Sequence, residues 1–414
     1  MVKLVIIADD FTGAIDTGVQ FAEQGVSTQV VIDRECDLSS LSPATQVAVI
    51  DAETRHLSPK EAYDVVFNIT KSALAADAMI YKKTDSALRG CIGSELTAVL
   101  DASPGYELVF LPAFPQQNRV TIGGTHYMDR VPIHESVFGN DPFEPVRNSY
   151  IPDIIGEQSE AEVSVCKDEI PPLDESQKRI LVFDAESDDD LWRVAHALNT
   201  QGRLKIMAGC AGLASILPAL LEFDRSPVGG IRRTGGLFVV CGSLNPITKE
   251  QVVYAGEHGF HRIHITPQQK LDSNFLQSRE GKLFFEELRR YCSVENRLIL
   301  DTFGNDGVEQ TDQYAAREGI PASEIRHRIA NRMGQFAKEW LKLGFDYTLF
   351  LTGGDTLLGF MNQVGCREIQ PVGEVADGAI LSLLPLEDKV LQVITKSGGF
   401  GGKSILVDIA EKVI

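Results

Sequence analysis

Short apolar runs alternate with longer stretches of helical spacing along the first quarter of the chain, and polar or glycine residues close each run. LVIIA (4–8) precedes a helical pattern near 14–24, and STQVVI (27–32) and QVAVID (46–51) follow. A second helical pattern covers about 59–76, then come AMIYKK (78–83), a third helix near 87–101 and ELVFLPAF (107–114). Continuous apolar strands separated by helices predict α/β layers around parallel sheets buried on both faces. From Pro115 to about Pro172 the rhythm breaks down under Pro, Gly, Asn and Asp, which predicts loops and short strands laid over a face. RILVFDA (179–185) and LKIMAG (204–209) then restore it.

DRSPVGGIRRTGG (224–236) is charged, turn-forming and aperiodic, and marks a boundary. Beyond it LFVVCGS (237–243), RIHIT (262–266), RLILDTF (297–303), YTLFLTGG (347–354) and VLQVITKSGG (390–399) build a second block. A chain of 414 residues is too long for one ordinary core. The predicted fold class is therefore α/β, with two α/β domains, 1–228 and 229–414, mainly parallel sheets and a cleft between them. Ligands in such folds lie beyond the carboxyl ends of the strands.

Composition narrows the partners. Lys plus Arg number 39 against 58 Asp plus Glu, a net charge of −19, which argues against nucleic acid or an anionic membrane as partner. Any phosphate-bearing ligand must then be held by local groups. LVIIA is too short for a signal peptide or a membrane span, and the seven cysteines are scattered without a CxxC pair. Both point to a cytoplasmic protein with reduced thiols. The eight histidines do not cluster at ligand spacing either, so the sequence names no metal ligand.

The first strand ends in two adjacent carboxylates, Asp9 and Asp10, which cannot be buried unpaired without a cost of several kcal/mol. Asp51-Ala52-Glu53-Thr54-Arg55 follows the third strand, and Lys82-Lys83-Thr84-Asp85-Ser86 the fourth, with Arg89 one turn into the next helix. Arg55 and the lysines could hold the carboxylate of a small acid, while the aspartates accept hydrogen bonds from substrate hydroxyls or take a proton. The plainer reading is helix capping by Asp10 or Thr12, and by Thr84, Asp85 or Ser86. The three strand ends together favour a polyhydroxy-acid site.

The second block offers glycine turns after strands: Gly353-Gly354 before a helix at Asp355-Thr356, and the loop at Gly398-Gly399 next to Lys396. Ser243, with Pro246 opening a helix, is a third strand end. Backbone N–H groups at such turns can approach a phosphate. SGGFGGKS (397–404) lacks the first glycine of a Walker A loop and is set aside. The acids after the first strand are adjacent, which excludes the phosphatase D-x-D pattern, and a receiver domain explains neither KKTDS nor the second block.

ADDFTGAIDTG, YKKTDSALRG, the 114–138 run FPQQNRVTIGGTHYMDRVPIHESVF, CGSLNP, LTGGDT and TKSGGFG stand in the order found in the four-carbon acid sugar kinases, which the chain resembles over nearly its whole length. The resemblance implies a sugar-acid-binding N-terminal domain, a nucleotide-binding C-terminal domain, and transfer of the γ-phosphate of ATP to the terminal hydroxyl of a tetronate. It assigns the acid to Asp9, Arg55, Lys82, Lys83, Thr84, Asp85 and Ser86. It assigns ATP to Ser243, Gly353, Gly354, Asp355, Thr356, Gly398 and Gly399. IDTGVQ (15–20) is similar to members acting on D-threonate or D-erythronate, so D-threonate is the favoured substrate and D-threonate 4-phosphate the product. A D-erythronate or 3-oxo-tetronate kinase is the alternative within the class, and a non-catalytic sugar-acid-binding protein the alternative outside it. Gln116-Gln117-Asn118 depart from the glycines that relatives often carry before Arg119. Phosphoryl-transfer chemistry adds Mg²⁺ bridging the ATP phosphates, Asp9 or Asp85 as the group that orients or deprotonates the attacking hydroxyl, and domain closure that excludes water. A homodimer is compatible with this reading.

Overall fold

The computed structural model describes the chain except residues 142–143, 168 and 305–306. It divides into two compact units, Met1–Val228 and Gly229–Ile414. The first contains β1 (Leu4–Ala8), α1 (Phe11–Ala22), β2 (Thr28–Val31), β3 (Val47–Asp51), α2 (Pro59–Ala75), β4 (Met79–Lys83), α3 (Ile92–Ala102) and β5 (Glu107–Leu111). It continues with β6 (Arg119–Ile122), β7 (Thr125–Met128), β8 (Val131–Pro132), α4 (Ile151–Gly156), β9 (Glu162–Cys166), β10 (Arg179–Phe183), α5 (Asp188–Thr200), β11 (Ile206–Gly209) and α6 (Ala211–Leu220).

The main sheet of this unit has the order β2-β3-β1-β4-β11-β5-β10-β9 and is parallel throughout. Every residue of β1 and β3 is buried, as expected for strands covered by helices on both faces. From β1 the chain goes out to β2, returns to β3 beside β1, then crosses to β4 on the other side of β1. The strand order therefore reverses around β1, and at such a reversal the loops diverge and leave a crevice at the strand ends.

Two sequence expectations change here. The helix expected from 87 starts only at Ile92, because Leu88 and Gly90 have φ of 60° and 87°, which no helix accommodates. Gly90 packs against Arg55, where an added Cβ would lie 3.0 Å from Cγ and 3.1 Å from the carbonyl oxygen. Arg89 therefore sits in a turn before α3, not one turn inside it. The irregular stretch from Pro115 to Pro172, apart from 142–143 and 168, which lie outside the described residues, holds the separate antiparallel sheet β6-β7-β8. It also contributes β9 to the edge of the main sheet, a strand that half-exposed alternation had concealed.

The second unit contains β12 (Gly236–Cys241), α7 (Pro246–Glu257), β13 (His261–His264), α8 (Pro267–Leu271), α9 (Arg279–Val294), β14 (Arg297–Asp301), α10 (Gly307–Arg317) and α11 (Ala322–Leu341). Then follow β15 (Tyr347–Thr352), α12 (Gly354–Val364), β16 (Glu368–Ala376), β17 (Ala379–Pro385), β18 (Val390–Lys396) and α13 (Ile405–Val413). Strands β13-β14-β12-β15-β18 are parallel, and β17 and β16 extend them antiparallel. The order reverses around β12, so the ends of β12 and β15 form the crevice of this unit. No helix among the described residues is long and apolar enough to cross a membrane.

Candidate active site

The two carboxylates that close β1 are both held by Arg55. Its Nε donates to Asp9 Oδ2 at 2.8 Å and its Nη1 to Asp10 Oδ2 at 2.8 Å. Nη2 reaches Asp9 Oδ2 at 2.8 Å and Asp10 Oδ1 at 2.7 Å, with Asp85 Oδ1 further off at 3.7 Å. Sheet register brings them together: the backbone N–H groups of Thr54 and Arg55 both donate to the Asp9 carbonyl, at 3.0 and 3.2 Å. Asp10 also caps α1 by accepting from Gly13 N at 3.0 Å, so the capping and ion-pair readings of this residue hold together. Burial alone would raise the Asp9 carboxyl, but Arg55, Lys83 and Lys82 overcome it and hold the group below the usual carboxylate range.

Asp85 is a second hub. It accepts from Arg89 Nε at 2.8 Å and Nη2 at 2.9 Å, and from the N–H groups of Ala87 and Arg89. Against the rise that burial would cause, Arg55 and Arg89 keep its carboxyl far below normal. Lys82 is fully buried, with Nζ 3.0 Å from Glu95 Oε2 and 2.8 Å from the Lys83 carbonyl. Thr54 Oγ1 donates to Glu95 Oε1. Even with Lys82 beside it, burial pushes the Glu95 carboxyl up. Lys83 Nζ donates to the Thr84 carbonyl at 2.9 Å and lies against the first turn of α1, where a Cβ on Gly13 would come within 2.8 Å of it. A side chain at 13 would make Lys83 Nζ or Asp10 Oδ1 shift.

The small β6–β8 sheet supplies groups that the strand-end list missed. Arg119 Nη1 donates to Ser86 Oγ, and its guanidinium carbon lies 5.6 Å from the Phe138 ring centre. His126 Nε2 donates to the Ser86 carbonyl at 3.0 Å, while Nδ1 faces Thr121 Oγ1 at 3.1 Å. A carbonyl can only accept, which fixes the Nε2–H tautomer, and burial lowers the imidazole to about 4. Asp51 is buried with Oδ2 unpartnered, and burial, then Glu53 and Asp10, raises its carboxyl well above the normal range.

In the second unit, Ser243, Gly353 and Gly398 meet at the ends of β12, β15 and β18. A Cβ added to Gly398 would lie 2.8 Å from Ser243 Oγ, and one on Gly242 would lie 2.3 Å from Thr356 Oγ1. Gly353 precedes α12 with φ of 90°, and no side chain caps that helix. The loop after β18 has its carbonyls drawn inward. Lys396 Nζ donates to those of Ser397 and Phe400 at 2.7 and 2.9 Å, and Thr248 Oγ1 to that of Gly398 at 2.7 Å. Gln251 Nε2 donates to Phe400, Gly401 and Gly402 at 2.9, 2.8 and 3.3 Å. The N–H groups of Ser397 and Gly401 are engaged by the Gly378 carbonyl at 3.4 Å and Asp377 Oδ2 at 3.3 Å, so an anion nest here would be built from those of residues 398–400. Burial lowers the Lys396 ammonium to about 8. Asp355 is exposed and paired with Arg326 at 2.6 Å, whereas Thr356 is buried. Thr248 and Gln251, one and two helical turns beyond the polar strand end, carried no sequence signal except their place on one face of α7.

Among the described residues no group of three or more His, Cys, Asp and Glu is arranged to hold a metal ion.

Comparison with known proteins identifies the two units. Residues 4–217 match a family described as a sugar-binding N-terminal domain, and residues 238–406 one described as a nucleotide-binding C-terminal domain. The chain belongs to the four-carbon acid sugar kinase family and is an ATP-dependent kinase. The D-threonate kinase of Salmonella typhimurium is 30% identical over 98% of this chain and 97% of its own length. The D-erythronate kinase of Heliobacterium modesticaldum is 26% identical over 91% of this chain and 88% of its own. A solved structure from Salmonella typhimurium LT2 superimposes with a TM-score of 0.81 at 21% identity, covering 100% of both chains, and shows the shared fold.

Proposed function

We propose that the chain transfers the γ-phosphate of MgATP to the 4-hydroxyl of D-threonate, giving D-threonate 4-phosphate and ADP. The observation that carries the choice of acid is the near-full-length similarity to a D-threonate kinase. In this reading the Met1–Val228 unit takes the acid at the ends of β1, β3 and β4, and Gly229–Ile414 takes the nucleotide. Asp9 and Asp85 are held ionised by Arg55 and Arg89, which suits accepting a hydrogen bond from the attacking hydroxyl more than retaining its proton. The loose transition state of phosphoryl transfer asks for positioning and charge neutralisation first, and little from a base. Lys83, Thr84 and Ser86 line the acid's side, and Arg55 and Lys82 brace the loop beneath them. Ser243, Gly353, Gly354, Thr356, Gly398 and Gly399 hold the phosphates. Asp355, with Oδ2 paired to Arg326, meets the nucleotide through its other oxygen or after releasing Arg326. Mg²⁺ enters on the phosphates as part of the nucleotide substrate. The free thiols fit the cytoplasmic placement, and a homodimer stays within the proposal.

A coupled ADP-release assay with MgATP and D-threonate, D-erythronate, L-threonate, L-erythronate and a 3-oxo-tetronate source tests the reading. The expected result is one strong signal, with D-threonate. Preference for D-erythronate would keep the class and overturn the stereochemical choice, which the Heliobacterium relative makes the next candidate. Silence across the panel with ATP bound would overturn the acid.

The nest gives a separate expectation. Gln251→Leu removes the donor to three loop carbonyls, and we expect the KM for ATP to rise about tenfold while that for the acid moves far less. Steady-state kinetics with each substrate varied in turn would read this. A parallel rise in both constants would place Gln251 in the general fold instead.

A further inference from the structure

Counting charges at the acid site shows which cations are already committed. Arg55 is bound by Asp9 and Asp10, with Asp85 near, and Arg89 by Asp85 in a fork and by Asp141 at 3.3 Å. Lys82 is paired with Glu95. Two cations at this end of the site have no carboxylate at ion-pair distance among the described residues, although Lys83 also acts on Asp9 and Asp85 from further off. Lys83 has the Thr84 carbonyl, and Arg119 has the Ser86 hydroxyl and the Phe138 ring. Burial pushes the Cys210 thiol up, and Lys83 and Arg119 both oppose that rise, so the two cations lie within electrostatic reach of one buried group.

Lys83 is buried against the first turn of α1, the positive end of that helix. Asp10, the acid at that turn, is already held by Arg55. Arg119 Nε is buried with no hydrogen-bond partner, and only Nη1 of its fork is used. A buried guanidinium donor left unmade costs free energy, and an arriving anion relieves it.

Resting on the reading of this site as the acid's, we infer that Lys83 and Arg119, not Arg55, receive the carboxylate of the four-carbon acid. Arg119 comes from the β6–β8 sheet, a part of the chain outside the strand-end motifs, and offers the planar fork that matches a carboxylate. Phe138 and Ser86 hold that fork in orientation. Arg55 has the structural task of keeping Asp9 and Asp85 ionised while it pairs with Asp10 beside them.

The test compares D-threonate with D-threonamide, its neutral carboxamide, in the ADP-release assay. The native enzyme is expected to favour the acid by about 10²-fold or more in kcat/KM. Arg119→Gln should cut kcat/KM for the acid by about that factor and for the amide far less, so the preference collapses. Arg119→Lys keeps a charge without a fork and should retain part of the preference. Lys83→Met should lower it as Arg119→Gln does. An equal loss on both substrates in Arg119→Gln, or a preference that survives intact, would overturn the assignment. A native enzyme active on no four-carbon acid would overturn the function itself, and this inference with it.

Discussion

Arg55→Met is expected to cost about 3–5 kcal/mol of folding stability near neutral pH and to abolish turnover. The side chain is the shared partner of Asp9 and Asp10 and is 3.7 Å from Asp85, and all of these except Asp10 are nearly fully buried. Removing it leaves like charges together in a poorly solvated place. The pH dependence has a definite sign. In the native chain the Asp9 and Asp85 carboxyls are depressed, so their stabilisation is present above the unfolded carboxylate value of about 4 and is lost as pH falls through their folded values. Without Arg55, burial raises Asp9, while Asp85 keeps the Arg89 fork; the folded state then binds more protons at Asp9 than the unfolded one, and stability improves as pH falls from about 7 towards 5. Denaturant titrations of both proteins at each pH would show the gap narrowing in acid. Equal stability at neutral pH would refute the account.

The second large effect concerns Lys82, which the family resemblance assigned to substrate. Its Nζ lies between Glu95 and the Lys83 carbonyl, with no exposed surface. Lys82→Met strands a buried carboxylate and should lose about 3–5 kcal/mol. Adding Glu95→Leu removes the stranded charge and should recover at least half of that loss, since an apolar replacement of a buried ion pair is often close to neutral. The recovered double variant then decides the role of the residue. We expect it to retain measurable kinase turnover, because Lys82 acts through the position of the loop. A double variant that folds as well as the native chain yet is inactive would return Lys82 to the substrate.

The strand ends were legible because a parallel sheet buried on both faces writes its strands as continuous apolar runs. The residues at and just after their carboxyl ends are then the first candidates to meet a ligand. Asp9, Asp51, Lys82 and Gly353 are found in that way from spacing alone. The antiparallel pair β16 and β17 escaped, since β16 alternates half-buried residues and carries bulges near Pro371 and Glu374. Helix α3 was read too early because helical spacing does not reveal the positive φ at Leu88, where a side chain folds back to its own turn.

What the sequence determined by itself is the class of the enzyme: the order of six motifs, the two blocks, and the polar clusters that end their strands. The tertiary structure decided who partners whom. Arg55 meets Asp9 across 46 positions and Asp10 across 45, Thr54 meets Glu95 across 41, Arg119 reaches Ser86 across 33, and Gln251 holds a loop about 150 residues away. Charge pairing depends on distances of a few ångströms and on the removal of water, and neither is set by separation along the chain. The same two aspartates read in the sequence as a pair that needs a positive partner, and the fold supplies that partner in Arg55.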